Sequence, residues 1–421
     1  MQFLFFILFL FLFDLYVFQA FTTAFVDASP ILAQWVYVAY WSIPLLILVG
    51  ILTISIRGAK GINRDLFSLL RAIILIAYLA KLLIAGVLFL DDGRRLLMGA
   101  YEAMVADIHF DYSRSVLLAR IGILLGALPF LLLTYGILNN RYRYKVFRET
   151  VDLEHLPEQL DGLRIVQISD IHSGSFPRNA PIDSAIQLIN QQQADFVFFT
   201  GDLVNSVTAE VDAFLDVFNQ IQAKYGVFSI LGNHDYGDYV RWQNPADKQA
   251  NFEQMKAVHE RMGWDLMLNE HRMVQVNGEQ IAVIGVENYS AHPRFPKYGD
   301  LQKAYAGTET AALKLLLSHD PTHWEDEVIQ QFQDIAITFS GHTHGFQFGL
   351  EIPGLIKWSP VKYVYKQWAG LYQKGRQFLY VNRGFGFLGY PGRVGILPEI
   401  TVIDLKKKSA EATQKSSDEM A

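Results

Sequence analysis

Four long apolar runs at the front of the chain constrain its architecture more than any other feature. Residues 2–25, opening Gln-Phe-Leu-Phe-Phe-Ile, hold one acid, Asp14, and no base. They are long enough to cross a hydrocarbon layer of roughly 30 Å. Comparable runs cover about 31–56, 69–90 and 115–138. In lipid a backbone must satisfy its own polar groups, so runs of this length read as helices. A cleaved leader is the competing reading of the first run, but that run lacks a basic n-region and its apolar stretch is too long. The expectation is a four-helix transmembrane region over residues 1–140.

Charge between the runs sets an expected orientation. Arg57, Lys60, Arg64 and Arg71 follow the second run, and Arg141, Arg143, Lys145 and Arg148 follow the fourth. If all four runs span, both basic segments share one face, which the positive-inside rule assigns to the cytoplasm. The 91–114 connection is mixed, with Asp91, Asp92, Glu102, Asp107 and Asp111 against Arg94, Arg95 and Arg114, and suits the outer face. Asp14 and Lys81 lie within or near the apolar runs. Each is a functional candidate by position, against a plain reading as a tucked-in acid and a snorkelling lysine. So few polar groups do not suit a transporter; the bundle reads as an anchor or as a substrate-presenting platform.

Composition narrows the remainder. The 421 residues suit more than one domain, and hydrophobic residues make up 51%, concentrated at the front. A net charge of −6 argues against a nucleic-acid partner. With no cysteine, disulfides and thiolate metal sites are excluded, so any metal centre must be built from His, Asp and Asn.

After a basic and polar linker over 141–160, strand and helix patterns alternate. Residues 163–169 read as a strand ending in Asp170-Ile-His172, and 195–199 as one ending in Thr200-Gly201-Asp202. Residues 227–231 end in Gly232-Asn233-His234-Asp235, and 313–317 in Ser318-His319. The run 334–340 ends in Gly341-His342-Thr343-His344. Helical patterns fall at 181–193, 208–222, 248–262 and 321–332, and Asn277-Gly278 marks a hairpin between strands 271–276 and 280–286. This is an α/β alternation, in which ligands bind beyond the carboxyl ends of the strands. Alone, Asp170 and His172 could be turn caps, Gly201-Asp202 a common turn and His319 an ordinary histidine. Five successive strand ends finishing in metal-competent residues are not explained that way.

The order Asp-x-His, Gly-Asp, Gly-Asn-His-Asp, His, Gly-His-x-His resembles the calcineurin-like metallophosphoesterase family over roughly 161–405. The ending Asn382-Arg383-Gly384-Phe385-Gly386, with Pro391, Arg393 and Pro398-Glu399-Ile400, is similar to its membrane-associated bacterial phosphodiesterases. The resemblance implies a β-sandwich flanked by helices and two divalent or trivalent metal ions (Mn, Fe, Zn or Ni). It implies one metal on Asp170, His172, Asp202 and His344, and the other on Asp202, Asn233, His319 and His342, with Asp202 bridging. It also implies hydrolysis of a phosphodiester or pyrophosphate by a metal-bridging hydroxide. His234 would donate a proton to the leaving group, with Asp235 orienting its ring. Arg383, in a Gly-flanked turn, is an expected phosphate contact. Asn205 departs from many relatives, which carry a charged residue there, and is an expected substrate contact.

The expected function is a membrane-anchored phosphoesterase of the bacterial cytoplasmic membrane, its catalytic domain on the cytoplasmic side, acting on a lipid-linked or nucleotide-like substrate. A UDP-diacylglucosamine-type pyrophosphohydrolase is the nearest alternative; a non-catalytic membrane sensor of a phosphorylated ligand is one from another class. Residues 346–390 are dense in aromatics, with Lys357, Lys362, Lys366 and Lys374 interleaved. That mixture suits a loop touching lipid headgroups, or else residues that cover the sandwich core and line a substrate groove. Residues 406–421, beginning Lys406-Lys407-Lys408, read as a disordered tail.

Overall fold

A computed structural model describes residues 2–57, 64–105, 109–352 and 354–408. The chain divides into two compact units, Met1–Leu138 and Asn139–Ala421. The first contains α1 (Gln2–Ala24), α2 (Pro30–Arg57), α3 (Arg64–Met104) and α4 (Val116–Tyr135). All four are long and apolar enough to cross a membrane. Ser115 opens α4 by accepting a hydrogen bond from the Leu118 N–H at 3.3 Å. Gly126 lets α4 approach α3 closely, because a Cβ there would overlap the Ala80 carbonyl and Ile84.

Two polar features resolve within this unit. Asp14 and Lys81 are buried and paired at 2.6 Å. The Tyr78 hydroxyl donates to the Asp14 carboxylate at 3.2 Å and Tyr40 to its backbone carbonyl at 2.7 Å. The pair therefore ties α1, α2 and α3 together. Helix α3 is longer than expected: at 1.5 Å per residue its 41 residues span about 62 Å. Residues 91–104, expected to begin an outer connection, instead continue the helix. Ion pairs Asp91–Arg94 and Asp92–Arg95, each 2.9 Å and three residues apart, stabilise that extension. Lys60 lies outside the described residues.

The second unit is a sandwich of two six-stranded mixed sheets. One sheet contains β1 (Lys145–Leu153), β2 (Arg164–Ile168), β3 (Phe196–Thr200), β4 (Val227–Ile230) and β5 (Trp264–Leu266). The other opens with β6 (Glu270–Val276), β7 (Glu279–Gly285), β8 (Leu313–Leu317) and β9 (Ile337–Ser340). A separate hairpin, β10 (Leu350–Ile352) with β11 (Ile356–Trp358), follows. Strands β12 (Gly370–Lys374) and β13 (Gln377–Val381) complete the second sheet, and β14 (Glu399–Lys407) enters the first between β1 and β2.

Period-two alternation explains the layers. In β2 and β3, Ile165, Phe196 and Phe198 face the inter-sheet core with Val283, Leu315 and Phe339. Their neighbours Val166, Val197 and Phe199 face an outer core under Ile186, Ile189 and Val258, from helices Asp183–Asn190 and Pro245–Arg261. Both faces are apolar, so these central strands read as near-continuous hydrophobic runs. The expected helix-flanked β-sandwich is the fold.

Three stretches differ from expectation. The supposed linker 141–160 contains β1, which pairs in parallel with β14 at the sheet edge. The pattern at 208–222 forms short turns, Thr208–Glu210, Asp212–Phe214 and Leu215–Phe218, rather than one helix. Its start is pinned into a tight turn where the Glu210 carboxylate accepts from the Asn205 and Ser206 N–H groups. Lys406 and Lys407, expected to open the tail, belong to β14; residues 409–421 lie outside the described residues.

Candidate metal centre

Strands β2, β3 and β4 run parallel, as do β8 and β9 in the facing sheet, so five carboxyl ends meet at one edge of the sandwich. Gln167 joins the sheets just below, donating from its amide nitrogen to the Ser340 carbonyl (2.8 Å) and Thr200 Oγ1 (3.0 Å). The Asp170 N–H donates to the Gly201 carbonyl (2.9 Å), and the Gly341 N–H to that of His319 (2.9 Å). Gly341 is required at its position: a Cβ there would overlap Ser169 Oγ and the Asp170 carboxylate.

Among the described residues, ten that are not glycine have positive φ. Five are Asp170 (52°), His172 (48°), Asp202 (61°), His342 (71°) and His344 (52°). Such backbone costs about 1–3 kcal/mol per residue and collects at functional sites. Here it turns each side chain from its strand end into a common space.

Two triads result. Asp170, His172 and His344 offer ligand atoms within 4.8 Å of one another, as do Asp202, His319 and His342. His344 Nε2 lies 3.2 Å from Asp170 Oδ1. Asp202 Oδ2 lies 3.4 Å from His172 Nε2 and 3.2 Å from His319 Nε2, so a single oxygen faces both triads.

The donor set fits two cations. Both ring nitrogens of His172 and of His344 are buried without a hydrogen-bond partner, and so is Asn233 Oδ1. Five orphaned lone-pair or N–H sites in so small a volume are costly unless a ligand takes them. The Asn233 amide nitrogen donates to the Tyr239 hydroxyl at 2.8 Å, which leaves its oxygen toward the triads. His319 Nδ1 donates to the Thr200 carbonyl at 2.7 Å, fixing the tautomer that presents Nε2. His342 has Nδ1 3.2 Å from His319 Nε2, while its Nε2 meets the Tyr365 hydroxyl (2.8 Å) and lies 3.5 Å from Asp320. Imidazole with carboxylate and amide oxygen suits first-row transition metals.

Electrostatics point the same way. Burial pushes His172 down to about 3 and His342 to about 4, so both are neutral and ligand-competent at neutral pH. Burial would also lower His319, but the Asp202 carboxylate overrides it and raises His319 to about 10. That proton stands where a cation would, and metal binding would release it. Burial raises Asp170 to about 6.

Other expected residues take different places. Asp235 does not touch the His234 ring. Its buried carboxylate accepts from the N–H groups of Asp202 (2.9 Å), Leu203 (2.9 Å), Val204 (3.2 Å) and Gly232 (2.9 Å). It therefore binds the β3 turn to the β4 turn. The His234 ring is oriented instead by the Asn205 backbone carbonyl, which accepts from Nδ1 at 2.6 Å. The side chain of Asn205 itself meets Ser175, at 3.0 Å. Arg383, the expected phosphate contact, is buried and bonded to Glu399 (2.7 Å) and Glu351 (2.6 Å), so its fork is already occupied. Arg393 donates to the carbonyls of Arg383, Gly384 and Gly386, shaping the loop behind Asp170.

Sequence reasoning did not place Asp320 or Arg294 near the triads, and it put Tyr365 in an aromatic stretch without its contact to His342. Asp320 directly follows a ligand histidine, a signal that could have been used. The other two come from loops far along the chain. The Phe295 ring stands edge-on to His342 at 4.7 Å, and the exposed Arg294 guanidinium lies 5.8 Å from that same ring.

Comparison with known proteins agrees with this geometry. A family model described as "Calcineurin-like phosphoesterase" matches residues 163–346, and one described as "Probable Calcineurin-like phosphoesterase, transmembrane domain" matches 1–141. The chain thus carries a calcineurin-like metallophosphoesterase domain fused to an N-terminal transmembrane region. It is 32% identical over 283 residues to a Danio rerio "Transmembrane protein with metallophosphoesterase domain", covering 66% of this chain and 60% of that protein. The Bos taurus protein of the same description is 27% identical, covering 64% and 59%. The chain therefore spans about three fifths of the length of these two relatives. An uncharacterized metallophosphoesterase of Bacillus subtilis, YkuE, is 28% identical, covering 61% of this chain and 84% of its own.

Proposed function

We propose that this is a membrane-anchored, metal-dependent phosphoesterase that hydrolyses a phosphodiester or pyrophosphate bond of a lipid-linked or nucleotide-like substrate. The observation that carries the reading is the convergence of two Asp/His triads, in the first of which the buried ring nitrogens of His172 and His344 have no hydrogen-bond partner. Two bound cations would polarise the phosphoryl oxygens and supply an activated water.

The chain's own groups do the rest. Asp202 is the shared acid, its Oδ2 facing His172 and His319. Asn233 adds its amide oxygen to the second triad. With Nδ1–H held by the Asn205 carbonyl, His234 in its imidazolium form presents Nε2–H to the leaving alkoxide, gives up that proton and is left as the neutral Nδ1–H tautomer. The Tyr239 ring packs against His234 at 4.5 Å and limits its rotation. Arg294 takes the role that Arg383 cannot, pairing with a substrate anion from the rim. That rim, with Tyr239, Phe295 and Tyr365, suits an ester bearing carbon substituents better than a bare phosphate dianion. The basic residues Arg141, Arg143, Lys145 and Arg148 after α4 support a cytoplasmic catalytic domain.

The test is hydrolysis of bis-p-nitrophenyl phosphate and p-nitrophenyl phosphate by the purified, metal-loaded full chain. Turnover that disappears in Asp202→Asn, and is faster on the diester, supports the reading. A metal-loaded protein that cleaves no phosphate ester overturns it.

A further inference from the structure

Between His344 and Tyr365 the chain exposes apolar side chains that no other described part of the structure covers. Leu350, Ile352 and Ile356 are 42–47% exposed and Leu355, in the hairpin turn, 79%. In the next turn Tyr363 is 76% exposed, and Val364 is exposed as well. An antiparallel pair resting on a core alternates buried and exposed positions. Hairpin β10–β11 does not: no residue of either strand is fully buried. The hairpin is nevertheless held at its base. Glu351 is bonded to the buried Arg383 at 2.6 and 3.1 Å, and Trp358 stands edge-on to Phe348 at 6.4 Å. The apolar side chains are thus presented on an anchored support.

Charge selects among occupants. Lys362 and Lys366 are exposed on this excursion, Lys366 only loosely paired with Glu325 at 3.6 Å. The acid of the hairpin, Glu351, is taken by Arg383. Apolar side chains beside lysines complement an anionic lipid surface. A second copy would instead bring the same lysines face to face. The chain also brings its own bilayer: β1 starts at Lys145, shortly after the helical turn Gly136–Asn140 that extends α4.

We infer that hairpin β10–β11, with the turn at Tyr363–Val364, is a membrane-contacting surface that inserts into the headgroup region of the bilayer anchoring the chain. Insertion of this kind reaches roughly 5–10 Å into the boundary between headgroups and acyl chains. The excursion joins His344 to Tyr365, whose hydroxyl meets His342. The proposed surface is thus joined at both ends to the metal site, which suits delivery of a lipid phosphate to it. That consequence rests on the phosphoesterase reading; the surface itself does not.

The absence of cysteine allows a direct test. Single-cysteine variants Leu355→Cys and Glu309→Cys, both at exposed positions, are labelled with pyrene in the full chain. They are reconstituted into phosphatidylcholine–phosphatidylglycerol vesicles with or without doxyl-labelled lipid. The expected result is several-fold stronger quenching at position 355 than at 309. Equal quenching at the two positions overturns the inference. So does excimer emission from position 355 that persists when the protein is diluted in lipid, which would assign the surface to a second copy. Neither readout depends on hydrolysis, so failure here and failure of the enzymatic reading are separable.

Discussion

Substituting Asp235 by asparagine separates two accounts of a residue beside the metal centre. Its carboxylate accepts four backbone N–H bonds, two on each oxygen to within 3.2 Å, and the side chain is fully buried. An asparagine keeps the shape but has one accepting oxygen, so two N–H donors lose their partner and face an NH₂ group. A buried donor left unsatisfied costs about 1–3 kcal/mol, which gives ~4 kcal/mol for two. At roughly 2–4 °C per kcal/mol for a domain near this size, Tm should fall by on the order of 10 °C. The assay belongs near pH 8, because burial and the neighbouring Asp202 raise Asp235 to about 7, and below that value the native side chain is itself protonated. Tryptophan fluorescence of the detergent-solubilised full chain follows unfolding, and metal content is measured on the same sample. Metal content should fall with Tm, since the Asp235 carboxylate ties the turn that carries Asp202 to the Gly232-Asn233 turn. If Asp235 acted by orienting His234, Asp235→Asn would melt near wild type and shift the pH–rate profile. A Tm within about 2 °C of wild type would refute the structural role assigned here.

Further outcomes follow from other residues. His234→Ala should lower kcat on a diester with a poor leaving group by about 10²–10⁴ while metal content holds; an unchanged rate removes the proton-donor role. Arg294→Ala should raise KM with Tm unchanged. Arg383→Ala should instead destabilise by about 3–5 kcal/mol, because it strands the buried Glu399 carboxylate, a contrast that paired kinetics and melting would check. His259 is buried away from the triads, with Nδ1 2.9 Å from Ser229 Oγ, and burial lowers it to about 3. Below pH 6.5 the unfolded chain therefore takes up a proton that the folded one refuses. The stability from the neutral ring is full above 6.5 and declines by about 1.4 kcal/mol per pH unit as pH falls toward 3. His259→Gln should flatten this part of the Tm-against-pH curve, and an unaltered slope would count against it.

The residues of the two triads were legible in the sequence because their signal is local. A buried apolar strand followed at once by Asp, His or Asn states both where the side chain sits and what it can bind. The four spans were legible for a similar reason, since length and apolar content suffice. What stayed hidden depends on contacts distant in sequence. Strand β1 carries charged residues along its exposed edge and reads as a linker until β14 pairs with it. Arg383 sits in a turn suited to phosphate, and its partners Glu399 and Glu351 become visible only when the hairpin and β14 fold against it. Asp235 follows His234 directly, which suggests contact with the ring, yet the turn aims its carboxylate at backbone N–H groups. In α3, hydropathy fades after Leu90 and hides a helix that continues on ion pairs.

The central claim, two cations held by separate triads around a shared Asp202, is tested most directly by metal content per chain across three variants. Elemental analysis of the purified, metal-loaded full chain should give two ions per chain for wild type. His344→Ala and His342→Ala should each retain one, and Asp202→Asn should weaken both sites. A wild-type protein that holds one ion or none, or a loss of both ions on removing either histidine alone, would contradict the account.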